Sequence, residues 1–157
     1  MGKICTFFGH RDTFSGNDMR ARVRDILVDL IEKEGVDFFL FGSYGRFDDM
    51  CAGVTRELKT IYPHIILHLL LPYPTRMKSE GKGAFFCEED FDEISFFDID
   101  KMYHFKKVIG KRNEFMAKTC DFMVCYVSYP LGGAYKAMKK AIRLKKKIFN
   151  LADTSLL

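Results

Sequence analysis

Short runs of apolar residues alternate along this chain with longer stretches in which apolar residues recur every three or four positions. The runs lie at residues 4–8, 36–41, 65–71, 121–127 and 147–151, and we interpret each as a β-strand. Most of them are apolar on both faces, which is typical of strands in a parallel sheet that helices cover on both sides. The pattern therefore predicts an α/β protein.

The stretches between the runs predict four helices, at residues 18–34, 48–61, 111–119 and 131–144. In the first of these, apolar side chains at three- and four-residue spacing form one stripe, and Gly35 provides a helix end. Residues 73–111 carry no comparable pattern.

The alternation of strands and helices, joined by right-handed crossovers, predicts a Rossmann-like three-layer sandwich. We expect one domain, residues 1–157, with a mostly parallel five-stranded sheet. The expected strand order, numbered along the chain, is 3-2-1-4-5. Because the order reverses between the first and fourth strands, the crevice at their carboxyl ends is the expected ligand site.

Charge is distributed unevenly along the chain, although the net charge is only +4. Residues 88–100 contain seven acids and no base, and residues 101–147 contain thirteen bases and two acids. The acidic spacing fits no calcium loop, so we interpret that run as a solvated loop or a dimer contact. The basic third is either the solvated face of the last helix, which we favour, or a nucleic-acid surface.

The composition favours a cytoplasmic protein. The longest apolar run, residues 65–71, is too short to cross a membrane, and no signal-peptide layout is present. Five scattered cysteines without a metal-ligand spacing predict buried reduced thiols. We therefore expect neither a metal nor a cofactor.

Glycine follows the first apolar run, in the sequence Phe8-Gly9-His10-Arg11. Glycine lets backbone N–H groups approach a bound anion closely, and arginine offers a fork of donors suited to phosphate. The sequence predicts that Gly9 and Arg11 hold phosphate and that His10 contacts a ribose or base, or transfers a proton. A surface arginine and a structural histidine are the alternative.

The second such turn follows the run at residues 36–41. We expect Gly42 and Ser43 to hold phosphate at the start of the next helix, and Gly45 to belong to the same ligand site. Asp48 either accepts hydrogen bonds from ribose hydroxyls or caps that helix.

The third turn precedes the last helix and contains Gly132, Gly133 and Tyr135. It is the strongest candidate for a phosphate cradle, because a helix start presents free N–H groups to an anion. Arg112 and Asn113 open the short helix before the fourth strand, and Arg112 is expected to reach across the same crevice to the sugar or base, with Asn113 also in the site.

Four segments together resemble the SLOG superfamily, the Rossmann-like group that includes the Lonely-Guy phosphoribohydrolases and the DNA processing protein A fold. They are CTFFGHR (5–11), GSYGRFDDMCA (42–52), KRNEFM (111–116) and GGAY (132–135). Within that group the chain is most similar to small bacterial proteins of the DUF1273/YspA-like type.

The resemblance implies a pocket for a nucleotide or an ADP-ribose-like molecule, and it implies homodimers. It also implies a choice between a sensor and an enzyme that cuts an N-glycosidic bond. Arg112 matches the catalytic arginine of the Lonely-Guy enzymes, but Lys139 stands near their glutamate position, and Tyr135-Lys136 stands where Gly-Thr is expected.

We therefore predict a protein that binds a nucleotide-derived small molecule. The first alternative is an N-glycosidase, in which Arg112 stabilises the phosphate and Asp48 or Glu114 stabilises the sugar cation. The second alternative, less favoured, is a nucleic-acid-binding module that uses the basic third of the chain.

Overall fold

A computed structural model describes residues 2–10, 16–42, 45–72, 88–97 and 105–157. These residues form six strands and four α-helices around one sheet, together with a short 3-10 helix at Glu88–Asp90. In chain order the elements are β1 (Lys3–Gly9), α1 (Asn17–Glu34), β2 (Val36–Phe41), α2 (Arg46–Lys59), β3 (Ile66–Leu71), β4 (Glu93–Phe96), α3 (Phe105–Thr119), β5 (Phe122–Tyr126), α4 (Gly133–Arg143) and β6 (Lys147–Asn150).

The sheet is covered on both faces, as the apolar pattern predicts. All neighbouring strands are parallel. On one face α1 and α2 pack over Phe7 and Phe41, whose rings stack with centroids 4.6 Å apart. On the other face α3 and α4 pack over Phe8 and Leu40. Successive residues of a strand thus enter opposite cores, which confirms the three-layer arrangement.

The predicted five-stranded order 3-2-1-4-5 is wrong, because the sheet has six strands in the order β4-β3-β2-β1-β5-β6. The additional strand, β4, lies in the acidic run and pairs with the edge of β3. The other five strands keep their predicted mutual order, so β1 and β5 are still neighbours at the point where the order reverses.

Polar side chains hold β4 in place. His68 on β3 lies between two side chains of β4, with its Nδ1 2.8 Å from Glu93 Oε2 and its Nε2 2.6 Å from Ser95 Oγ. The carboxylate of Asp92 accepts a bond from the Leu67 N–H and pairs with Lys59 at 2.7 Å. The described part of the acidic run therefore consists of the edge strand β4 and the residues that lead into it, rather than a solvated loop.

The third helix is longer than predicted. It begins at Phe105 rather than near residue 111, so that Arg112 and Asn113 lie in its middle and not at its start. The fourth begins at Gly133, two residues later than expected. None of the helices in the described ranges is long and apolar enough to cross a membrane.

Candidate functional site

A cavity of about 430 Å³ opens at the carboxyl ends of the central strands, beside the starts of α2 and α4. Most of the predicted site residues contribute to its wall. The lining residues are Phe8, Gly9, His10, Gly42, Asp48, Ile109, Arg112, Asn113, Tyr129, Gly132, Gly133 and Ala134. The structure thus brings all three glycine turns and the middle of α3 together around one space.

Arg112 is buried in the cavity wall, with only 3% of its surface exposed. Its Nη1 donates to the carbonyl oxygens of Gly42 at 2.9 Å and Leu70 at 3.3 Å. Its Nη2 and Nε donate to Asn113 Oδ1 at 2.8 and 3.2 Å. The guanidinium group is therefore fixed at the ends of β2 and β3, and its cationic plane forms part of the cavity wall.

Gly42 allows this placement of Arg112. A Cβ atom built on Gly42 lies only 3.1 Å from the Arg112 Cζ, closer than such atoms normally approach. The glycine was expected to let a phosphate approach, and in the structure the group that approaches it is the guanidinium of Arg112.

His10 connects the turn after β1 to the turn after β5. Its ring stacks on Tyr129 with centroids 3.6 Å apart and an angle of 6° between the planes. Its Nε2 accepts a hydrogen bond from the Ser128 N–H at 3.2 Å. A neutral imidazole that accepts through Nε2 carries its proton on Nδ1, so this contact assigns the tautomer.

The start of α4 forms another part of the cavity wall. Gly132 caps this helix at φ 93°, in a region that disfavours side chains, and as a glycine it has no side chain that could cap the first turn. The first helical bond runs from the Lys136 N–H to the Gly132 carbonyl. The N–H groups of residues 133–135 consequently have no acceptor within the helix, and the positive end of the helix dipole lies at the cavity.

Gly9 meets a packing requirement of its own. A Cβ atom at this position would lie 2.5 Å from the Cβ of Phe47, which is fully buried in the first turn of α2. The close contact between β1 and α2 is thus a sufficient reason for glycine here. It also fixes where Asp48, the next residue along α2, enters the cavity wall.

Asp48 is the only carboxylate among the described residues that line the cavity. It is 7% exposed and lies in the first turn of α2, where the helix dipole favours a negative charge. Burial, followed by the negative charge of Asp48, raises the pKa of the neighbouring Cys51 thiol.

Several predicted residues lie elsewhere. Glu114 and Tyr135 line a second cleft between α3 and α4. Gly45 caps α2 at φ 98° and is not among the lining residues. Arg11 and Ser43 lie outside the described residues.

Four lining residues were not predicted from the sequence: Phe8, Ile109, Tyr129 and Ala134. Tyr129 had a usable signal, because it is an aromatic residue in the turn directly after a buried strand. Ile109 had none, because the predicted helix started after it.

The described part of the chain contains no group of three histidine, cysteine or acidic side chains that could hold a metal ion. Four cysteines are free and buried, which confirms the prediction for them, and the fifth, Cys87, lies outside the described residues. Burial raises the pKa of Cys120 to about 11 and that of Cys125 to about 12. These thiols are therefore unreactive in the folded protein.

No family model matches the chain, and no curated protein matches it in sequence. Solved structures do match. The structural-genomics target TM1055 superposes with a TM-score of 0.54 at 15% identity, over 93% of this chain and 72% of that one.

Two structures of DNA processing protein A also match, each at 11% identity and over 95% of this chain. The protein from Helicobacter pylori, whose structure concerns single-stranded DNA binding, gives a TM-score of 0.61 over 65% of its length. The protein from Streptococcus pneumoniae gives 0.66 over 50% of its length. This chain thus spans between half and two thirds of those proteins.

At these identities the likeness establishes the fold alone. It is a Rossmann-like fold shared with DNA processing protein A, and it is the fold that the resemblance to the SLOG superfamily implies.

Proposed function

We propose that this protein binds a nucleotide-derived small molecule in the cavity between β1, β5 and the start of α4. One observation carries the proposal: the buried guanidinium of Arg112 and the uncapped N-terminus of α4 line the same cavity. Both features stabilise a bound anion, and they lie where the strand order reverses, the usual ligand position in such sheets.

The remaining lining residues fit the other parts of a nucleotide. Asp48 can accept hydrogen bonds from ribose hydroxyls. Tyr129, which is 36% exposed, and the apolar side chains of Phe8 and Ile109 offer contact surface for a base. A cavity of about 430 Å³ lies in the range of small-molecule sites.

The resemblance to SLOG proteins of the DUF1273/YspA-like type supports the same ligand class. With it we propose a cytoplasmic location and a homodimer. Arg11 and Ser43, which the sequence assigns to phosphate, directly follow the lining residues His10 and Gly42 in the sequence, and we include them in the proposed site.

Asp48 favours N-glycosidase activity as the second candidate function. Cleavage through an oxocarbenium-like sugar cation needs a carboxylate, and Asp48 shares the cavity with Arg112. Glu114 does not fit this role, because it is exposed and lines the other cleft. In such an enzyme Asp48 stabilises the sugar cation and Arg112 the phosphate.

Binding of nucleic acid is the third candidate. The basic α3 and α4 provide charge for it, and one of the structurally similar proteins is described as binding single-stranded DNA. The salt dependence of binding separates this candidate from the others, because the affinity falls more steeply with salt concentration as the protein neutralises more phosphates.

The test is to incubate the protein with nucleoside monophosphates, NAD and ADP-ribose, and to follow thermal stability and release of free base together. A ligand present at 100 times its Kd adds about 2.7 kcal/mol of stability, or about 5–10 °C for a chain of this size. Stabilisation without release supports the binding function. Release of free base that is lost in Asp48→Asn would establish the glycosidase instead. The absence of both stabilisation and base release would refute both functions.

A pair of variants shows whether the ligand occupies this cavity. Ala134→Glu places a carboxylate in the cavity at the start of α4, where the helix dipole favours a negative charge. Leu131→Glu adds the same charge nearby on an exposed residue outside the cavity lining. We expect Ala134→Glu to weaken binding at least about tenfold more than Leu131→Glu. Equal effects of the two variants would place the ligand elsewhere.

A further inference from the structure

A second concave surface adjoins the cavity. This α3–α4 cleft has a volume of about 500 Å³ and lies between the two helices that cover one face of the sheet. Its charged lining consists of the acid Glu114 and the bases Lys136, Lys139, Lys140 and Arg143.

The four bases form one stripe along α4. Their spacing of three and four residues places them on the same side of the helix, over a length of about 10 Å. Like charges at such spacing repel each other, so the stripe raises the free energy of the unliganded protein slightly. A polyanion bound in the cleft would remove this repulsion.

Within the described residues, the bases of the stripe lack ion-pair partners. No ion pair joins Lys136, Lys139, Lys140 or Arg143 to any acid of the described residues. Several bases of α1 and α2, on the other face of the sheet, do pair with acids, for example Arg20 with Glu57 at 2.7 Å. The four bases therefore give the cleft a positive potential.

The cleft borders the cavity. Asn113 and Gly133 line both spaces, and a Cβ atom on Gly133 would lie 3.3 Å from Asn113 Nδ2. A phosphate at the start of α4 would consequently lie at the junction. Any group attached to that phosphate and directed along α4 would pass over the stripe.

We propose that the α3–α4 cleft binds further phosphates of the ligand, so that the ligand class is a nucleotide with a di- or triphosphate chain. This inference rests on the proposed function, because the first phosphate is placed at the start of α4. A single-stranded nucleic acid fits less well, because Tyr135 is the one aromatic side chain of this cleft among the described residues and stacking platforms use several.

The test compares AMP with ATP, and monophosphate with tripolyphosphate, by isothermal titration calorimetry at constant ionic strength without divalent cations. We expect the longer chain to bind at least about tenfold more tightly in both pairs, the order of one charged hydrogen bond gained. The inorganic pair makes the result independent of the base.

Two variants with equal loss of charge locate the effect. Lys136→Gln combined with Lys139→Gln removes two bases of the cleft, while Lys107→Gln combined with Lys118→Gln removes two exposed bases of α3 outside both linings. Glutamine keeps the helix propensity. The first variant is expected to reduce the preference for the longer chain about fivefold or more, and the second less than about twofold.

The possible results separate this inference from the proposed function. Monophosphate binding without a preference for the longer chain, or a preference that both variants reduce equally, would overturn the inference alone. If the protein prefers tripolyphosphate through the cleft but binds no nucleotide, the cleft is still a polyphosphate site and the proposed nucleotide binding is refuted. Tight binding of a single-stranded oligonucleotide with no response to ATP or tripolyphosphate would overturn the inference in favour of nucleic acid.

Discussion

Gly9→Ala should destabilise the protein although it adds a single methyl group. The new Cβ would lie 2.5 Å from Phe47 Cβ, 2.6 Å from its Cγ and 2.7 Å from its Cδ2. Distances below 3.0 Å require movement, and here neither side moves easily. Phe47 is fully buried in α2, and Gly9 is the last residue of a central strand.

Overpacking of this kind typically costs about 1–3 kcal/mol. For a chain of this length each kcal/mol lowers the melting temperature by about 2–4 °C. We therefore expect a lower midpoint in urea unfolding with an unchanged slope, since the surface exposed on unfolding stays the same.

Gly53→Ala is the matched control. Gly53 lies in the middle of α2, and the nearest atoms to an added Cβ are guanidinium nitrogens of Arg20 and Arg56 at 3.6 and 3.8 Å, an ordinary contact. Alanine is the better helix former by about 1 kcal/mol, so this variant should be more stable than the parent. Equal or increased stability of Gly9→Ala would refute the argument from close packing.

Three further predictions follow from buried or titrating groups. Arg112→Met should lower the free energy of unfolding by at least about 2 kcal/mol in urea, because the Gly42 and Leu70 carbonyls lose their donor; an unchanged midpoint would contradict its structural role. The carboxyl group of Asp49 is partly buried, and this raises its pKa to about 6 although Arg56 opposes the shift. The folded state therefore holds this proton more tightly than the unfolded state, and stability falls as pH rises from about 4 to 6. Asp49→Asn should flatten that window and be the more stable protein at about pH 7, and a pH profile identical to the parent's would be evidence against the shift. In a Cys87→Ser variant, no thiol should react rapidly with a disulfide reagent until denaturant is added, because the remaining cysteines are buried; fast reaction in native buffer would contradict this for Cys5, Cys51, Cys120 or Cys125.

The sequence predicts those parts of the fold that signal themselves locally. Four strands, β1, β2, β3 and β5, are apolar runs because both of their faces carry buried residues, and such a run can be identified from the local sequence alone. The strand β4 cannot be identified in this way, because polar contacts with distant residues hold it in place. His68, some 25 residues earlier, binds both Glu93 and Ser95, and a local pattern contains no trace of that pairing.

The site, like the fold, has parts that the local sequence predicts and parts that it does not. The three glycine turns were predictable because parallel strands bring their carboxyl ends to one edge. The separation of Glu114 from Arg112 was not, because it depends on where α3 begins and how it is rotated. Each residue turns the helix by about 100°, so that two positions take Glu114 from the cavity to the α3–α4 cleft.

The electrostatic arrangement of the cavity gives the proposed ligand a direction. Arg112, the start of α4 and the base-rich cleft all lie on the side of α3 and α4, whereas Asp48 enters from α2. A phosphate is repelled by Asp48 and attracted by Arg112 and the start of α4, so we expect the phosphate chain to lie toward α4 and the sugar hydroxyls toward α2. The carboxylate is then next to the ribose in a binding protein and in a glycosidase alike. Substitution of Asp48 by Asn distinguishes the two, because a binding protein loses hydrogen-bond affinity for the sugar while an enzyme loses turnover.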